Sequence, residues 1–297
     1  IEDYLPAWFT VINSKFKTAT LSFNEIGRDV KIVRSDDSKK LIVVIAGETA
    51  RADRFSLNGY HKKTNPLLSK ENVISFKQVF SCGTDTALSI PCMFSSLGRE
   101  DYSHAKGKNM SNILDILSYA GVEILWRDNN SSSKGVTDRL LFQDYKSKDI
   151  NSLCDIECRD EGMLFDLQQY IDSKSDKDIL IVLHTMGSHG PAYYKRYPER
   201  FEKFTPVCET NQLNECTDVQ INNAYDNTIV YTDYVLSKTI AFLKSNQDKY
   251  KTAMFYMSDH GESLGENNLY LHGMPYFIAP KEQIHVASIF WADEQFS

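Results

Sequence analysis

Apolar residues along the chain bunch into short runs separated by polar stretches that carry glycine. The strongest run covers residues 41–46 within KKLIVVIAGE, and it is rich in β-branched side chains. Such a run predicts a central strand covered on both faces, ending at Gly47. Further strands are predicted over 73–80, 122–126, 179–183, 252–257 and 284–291. Residues 82–96 turn from polar to apolar, which predicts a helix starting at Thr84, Asp85 or Thr86. Helices are predicted over 109–119, 161–170 and 221–245. Residues 58–68, 127–135, 187–191 and 265–275 read as loops, and 193–218 as a polar, aromatic surface excursion. Strands thus alternate with helices along almost the whole length. That order predicts an α/β fold with a mostly parallel sheet and helices on both faces. No internal repeat or linker divides the chain, so residues 1–297 are expected to form one domain.

In an open α/β sheet, loops at the carboxyl ends of the strands gather side chains that lie far apart in sequence. Three predicted strand ends carry metal-type side chains: Glu48, His184 with His189, and Asp259 with His260. His272 follows in a glycine-bearing loop. Carboxylate with imidazole suits zinc, manganese or iron. The hydroxyls of Thr84 and Thr86 stand at a predicted helix start, where a nucleophile and a phosphate would both be favoured. Asn129, Asn130 and Lys134 could hold phosphate oxygens, the lysine as a point charge. Each feature also has a plainer reading. Glu48 could cap a helix, His184 could be a buried core histidine, the threonines could be caps, and the 127–135 loop could be solvated.

With 297 residues the chain is long enough to bury a large core without crosslinks. A formal charge of -7 speaks against a general nucleic-acid binder but leaves room for a local phosphate pocket. Six cysteines fall into three local couples, with no CxxC among them. This suits short-loop disulfides, and hence an exported protein, better than a thiolate zinc site. No stretch approaches the roughly 20 apolar residues of a membrane helix, and no signal peptide is present. The abrupt beginning, IEDYLPAWFTV, is what a piece of a longer membrane-bound or exported chain would show. Tyr4, Trp8 and Phe9 could instead pack on the domain itself.

Five motifs in order resemble the catalytic domain of the lipid A phosphoethanolamine transferases, including the mobile colistin-resistance enzymes. They are IAGETARADRFSLNGY at 45–60, CGTDTALSIPCMFS at 82–95, WRDNNSSSKGVTDR at 126–139, LHTMGSHGPAYYKRYP at 183–198 and MSDHGESLGE at 257–266. The resemblance covers nearly the whole chain. It implies an alkaline-phosphatase/sulfatase-like α/β/α sandwich, carried in the periplasm behind a membrane-helix bundle in the bacterial inner membrane. It implies that a threonine takes phosphoethanolamine from phosphatidylethanolamine and passes it to a lipid A phosphate, which gives polymyxin and colistin resistance. The monomer is the expected state.

By the same resemblance, Glu48, Thr86, Asp259 and His260 hold one zinc ion, and Thr86 outranks Thr84 as nucleophile. His189 and His272 lie near the transferred group, sometimes with a second zinc, and Asn130 and Lys134 line its pocket. Cys82–Cys92 and Cys208–Cys216 match family disulfides, and Cys154–Cys158 is the third expected pair, its loop short where family members can have a longer one. Asp85 replaces a small neutral residue beside the nucleophile. The neighbouring possibilities are a sulfatase, a phosphodiesterase or a phosphoglycerol transferase of the same superfamily, and a non-catalytic zinc-binding domain. A sulfatase would place a modified Cys or Ser in a C/S-x-P-x-R context, which the sequence around Cys92 does not offer.

Overall fold

A computed structural model describes residues 22–34 and 36–296. The expected packing of Tyr4, Trp8 and Phe9 falls outside them. In chain order the elements are β1 (Lys39–Gly47), β2 (Ile74–Phe76), α1 (Thr86–Met93), α2 (His104–Lys108), α3 (Ile113–Tyr119), β3 (Glu123–Asp128) and β4 (Leu141–Asp144). Then come α4 (Leu167–Ser173), β5 (Ile179–His184), α5 (Asp218–Lys244), β6 (Tyr250–Ser258), β7 (Ser263–Leu264), β8 (Tyr270–Leu271), α6 (Lys281–Ile284) and β9 (Ser288–Ala292).

Seven strands form one sheet in the order β2-β9-β6-β1-β5-β3-β4. The five from β6 to β4 run parallel, and β9 is antiparallel to both its neighbours. β7 and β8 form a separate hairpin. The alternation of β1 is visible in what each residue packs against. Leu41, Val43 and Ile45 join the core beneath α4 and α5, whereas Ala46 joins Ile90 of α1 and Leu114 of α3 on the other face. A strand buried on both sides has no polar face to show, which is why it reads as one apolar run.

Register places the chemistry. Ala46 pairs with His184 of β5, Gly47 with Ser258 of β6, and Asp128 of β3 with His184. The residues that follow, Glu48, Thr185 and Asp259, therefore leave the sheet side by side.

Several expected elements differ. The 73–80 strand shrinks to three residues, because β2 pairs only with β9. The 109–119 helix begins at Ile113, where Asn112 and Asp115 form a reciprocal capping box. The 161–170 helix divides into a 3-10 turn at Asp160–Leu164 and α4, with Asp166 between them in the left-handed region at φ 54°. α5 starts earlier than expected, capped by Thr217 with Gln220. The late strand separates into α6 and β9. β4 went unforeseen because it is a partly exposed edge strand with no apolar run.

The 193–218 segment is not a surface excursion throughout. Tyr193, Tyr197, Phe201, Val207 and Leu213 are buried, and Tyr197 and Phe201 pack with Tyr231 and Val235 of α5. All six cysteines are oxidised, as Cys82–Cys92, Cys154–Cys158 and Cys208–Cys216.

Candidate active site

Three strand ends and one helix start converge. Asp85 is the N-cap of α1, its carboxylate accepting from Leu88 N at 3.0 Å. The capping role accounts for the acid beside the candidate nucleophile: the helix start takes up its charge. Thr86 is thereby the first residue of α1. Its Oγ1 donates to Glu48 Oε2 at 3.0 Å and lies 3.4 Å from His260 Nε2. Thr84 is turned elsewhere, its hydroxyl donating to the Met274 carbonyl at 2.7 Å.

The acids and the imidazole are deeply buried. Glu48, Asp259 and His260 have no exposed surface. His260 Nδ1 lies 2.9 Å from the Gly261 carbonyl, which can only accept. That hydrogen bond places a proton on Nδ1 and turns Nε2 toward Glu48 Oε1 at 3.2 Å and Asp259 Oδ2 at 3.5 Å. Gly261 permits this turn, since a Cβ there would lie 2.1 Å from the Glu282 carbonyl oxygen.

Charge in this cluster is strongly biased. Burial and the neighbouring Glu48 push Asp259 up to about 6. Burial works against ionisation of Glu48 too, yet the facing His260 holds it well below the usual carboxylate range. Burial also disfavours the charged imidazole, but Asp259 and Glu48 outweigh it and raise His260 to about 10. Two carboxylates thus hold positive charge at one point. Asp259 Oδ2 is buried and makes no hydrogen bond. One ligand atom from each of Glu48, Asp259 and His260 lies within 4.8 Å of the others. Oxygen and nitrogen donors, a buried carboxylate oxygen without a hydrogen bond and an adjacent hydroxyl fit a divalent cation such as zinc.

A second group of donors, His260, Glu262 and His272, meets the same spacing. His272 Nδ1 is 2.6 Å from Glu262 Oε2, and the His272 ring centroid lies 4.1 Å from that of His260 and 6.1 Å from that of His189. The structure therefore brings His189 and His272 beside the first cluster.

Asn130 also reaches it, donating to Glu48 Oε2 at 2.7 Å and to the Thr185 carbonyl at 2.9 Å. Asn129 turns away, to Asp160 at 2.8 Å. Lys134 is not drawn in either: its ammonium donates to the Ser131 carbonyl at 3.0 Å. His184 takes a supporting place, with Nδ1 2.8 Å from Asp128 Oδ2. Asp128 Oδ1 accepts from the backbone N–H groups of Asn130 and Ser132 and so shapes the loop that presents Asn130.

Sequence reasoning missed Asp128, Asp160, Glu262 and Tyr193. Asp128, Glu262 and Tyr193 lie inside motifs quoted for other residues, and Glu262 is two positions from His260. Asp160 had no signal, for it acts by accepting from Met186 N and Gly187 N across the site.

The chain is similar to known proteins over most of its length. A family model described as Sulfatase matches residues 40–297. Phosphoethanolamine transferase EptA of Escherichia coli (strain K12) is 46% identical over 284 residues, 94% of this chain and 52% of the relative. Phosphatidylethanolamine transferase Mcr-1 of Escherichia coli is 52% identical over 264 residues, 86% of this chain and 49% of the relative. The chain thus spans about half the length of the curated relatives it matches. The crystal structure of the soluble domain of lipooligosaccharide phosphoethanolamine transferase A from Neisseria meningitidis superposes with a TM-score of 0.89 at 42% identity, over 94% of this chain and 84% of that one. The C-terminal periplasmic domain of EcEptC from Escherichia coli, solved as a complex with Zn, shares the fold at a TM-score of 0.70 and 22% identity, over 89% of this chain and 75% of that one.

Proposed function

The chain belongs to the sulfatase family, among its phosphoethanolamine transferases, and on that premise we propose that it transfers phosphoethanolamine from phosphatidylethanolamine to a lipid A phosphate through Thr86. The observation that carries this reading is the convergence of the Thr86 hydroxyl on the buried Glu48–Asp259–His260 cluster. A hydroxyl at a helix start, hydrogen-bonded to a carboxylate that burial has not neutralised, is a nucleophile in waiting.

Glu48, Thr86, Asp259 and His260 are the residues proposed to hold zinc, and His189 with His272 the place for a second ion. Zinc held there supplies Lewis acidity toward oxygen. In the first half-reaction Thr86 Oγ1 bonds to phosphorus as the bond from phosphorus to the diacylglycerol oxygen breaks. The threonine proton passes toward Glu48 Oε2 and finally resides on the departing diacylglycerol. The first-turn N–H groups of α1 favour the anionic phosphothreonine. His189, His272 and Asn130 surround the rest of the group. Lys134 would have to leave Ser131 to assist them. In the second half-reaction a lipid A phosphate oxygen attacks phosphorus, and Thr86 leaves and recovers a proton. Two bulky lipids need not occupy the site together when the enzyme holds the small group between visits.

The proposed setting is the periplasmic face of a bacterial inner membrane, with a membrane domain belonging to the whole protein, and polymyxin resistance as the outcome. Among the described residues no helix is long and apolar enough to cross a membrane. The name of Mcr-1 supports the donor, and the Zn complex of EcEptC supports the ion. Cys92 is bonded to Cys82, which removes it as a sulfatase nucleophile. Intact-mass measurement after incubation with phosphatidylethanolamine is the test. One added phosphoethanolamine, located on Thr86 by fragmentation, is expected. An adduct on Thr84, or none at all, refutes the reading.

A further inference from the structure

We propose that Tyr193 is a positioning residue for this transfer, acting through Glu262 to fix the His272 imidazole at the reaction site. The proposal rests on the transferase reading for its kinetic consequence and on geometry for the brace itself.

The Tyr193 hydroxyl donates to Glu262 Oε1 at 2.6 Å, and Glu262 Oε2 faces His272 Nδ1 at 2.6 Å. Tyr193 is 1% exposed and Glu262 0%, so water does not compete for either contact. Each carboxylate oxygen is thereby committed to one partner. With Nδ1 bound to the carboxylate, the proton sits on that side and Nε2 is left facing the opposite way. A buried network satisfied in this manner sets one orientation of its terminal ring.

His272 needs such help because of where it stands. It follows β8, and the β7–β8 hairpin is a ladder of two residue pairs, too short to hold a side chain by itself. Ties from outside fasten its backbone: the buried Arg51 donates to the Glu262 carbonyl at 3.1 Å, Gln283 Nε2 to the Leu271 carbonyl at 3.1 Å, and Gly273 N to the Thr84 carbonyl at 3.0 Å. Tyr193 anchors the side chain. Tyr193 also lies four positions after His189 on the same segment, and Arg196 donates to the His189 carbonyl at 2.5 Å. One phenol therefore joins the segment that carries His189 to the hairpin that carries His272.

Gly190 belongs to the same arrangement. A Cβ there would lie 2.5 Å from Glu262 Oε1 and 2.8 Å from the Tyr193 hydroxyl. Its backbone is not among those with positive φ, so alanine acts chiefly by wedging this contact and the neighbouring Leu271 Cδ2, 2.9 Å from such a Cβ.

The test compares Tyr193→Phe and Gly190→Ala with the wild-type chain. Phenylalanine keeps the volume and removes only the donor. The donor half-reaction is followed with short-chain phosphatidylethanolamine in detergent, and the His272 tautomer by NMR of 15N-histidine-labelled protein. Both variants should remain folded and lose about 10-fold in kcat with little change in KM. His272 should change from one tautomer to a mixture, which a purely structural role would not produce. Wild-type kcat in both variants, or an unchanged tautomer population, overturns the brace. If the wild-type chain forms no adduct, the transferase reading fails, and the tautomer measurement still decides the brace.

Discussion

Thr86 Oγ1 lies 3.0 Å from Glu48 Oε2 although 38 residues separate them. One stands at the start of α1 and the other just beyond the end of β1. Their contact joins the proposed nucleophile to the most acidic member of the buried cluster.

That contact makes Thr86 the residue least open to replacement. Thr86→Ala and Thr86→Val should fold and lose the donor half-reaction by roughly a thousandfold or more. Thr86→Ser keeps the hydroxyl and loses the methyl that restricts its rotamer, so partial activity should survive. Adduct formation by mass spectrometry measures all three, and full adduct on a folded Thr86→Ala protein contradicts the assignment.

The cation site should be separable from catalysis. Protein isolated without chelator should contain zinc, and a Glu48→Ala, Asp259→Ala double variant should not, since it removes both buried carboxylates. Metal analysis after gel filtration decides this independently of any activity. Zinc retained in the double variant would mean that other residues hold it.

Asn130 and Lys134 should behave differently, although four residues separate them. Asn130→Ala strips a direct donor from Glu48 and should cost about 10-fold in the donor half-reaction. Lys134→Ala removes an ammonium that rests on its own loop and should cost less. Equal losses would show that Lys134 moves into the site when substrate binds.

The loop that carries Thr86 is held by Cys82–Cys92, ten residues apart. Replacing both cysteines with serine should lower unfolding stability by about 2–3 kcal/mol in the chain-entropy picture. Denaturant titration measures it, and a change near zero would place the bridge outside the cooperative core.

Asp233 offers a pH test away from the site. It is buried and accepts from Leu67 N and Leu68 N at 2.9 Å each, yet burial prevails and pushes it up to about 6. The folded state therefore binds this proton more tightly than the unfolded chain, whose carboxyl titrates near 3.8. The stability this contributes is complete below that value and is lost as pH rises through about 6. Relative to Asp233→Asn, the wild-type chain should lose about 2–3 kcal/mol between roughly pH 4 and pH 7. Parallel melting curves of the two proteins would exclude it.

The central strand and the polar side chains that follow it were legible in the residues alone. Leu41, Val43 and Ile45 pack on one face and Ala46 on the other, so β1 could only appear as an unbroken apolar run. Asp259 and His260 were legible too, because a charged pair directly after a buried strand has no packing role. Local pattern also located the start of α1, though it left three residues from which Asp85 emerged as the cap and Thr86 as the first helical position.

Tertiary structure decided the partnerships. Parallel register, Ala46 against His184 and Gly47 against Ser258, sets Glu48 beside Asp259, and no periodicity along one strand encodes the register of the next. Helix 161–170 divides at Asp166, and β4 forms on a partly exposed edge, because neighbours rather than propensity determine them. Glu262 and Tyr193 lie 69 positions apart, and their hydrogen bond exists only because the hairpin folds back over the segment after β5. Hydrophobic pattern records which residues leave water. Which buried polar groups then meet one another depends on how the loops beyond the strands return, and that was settled by packing.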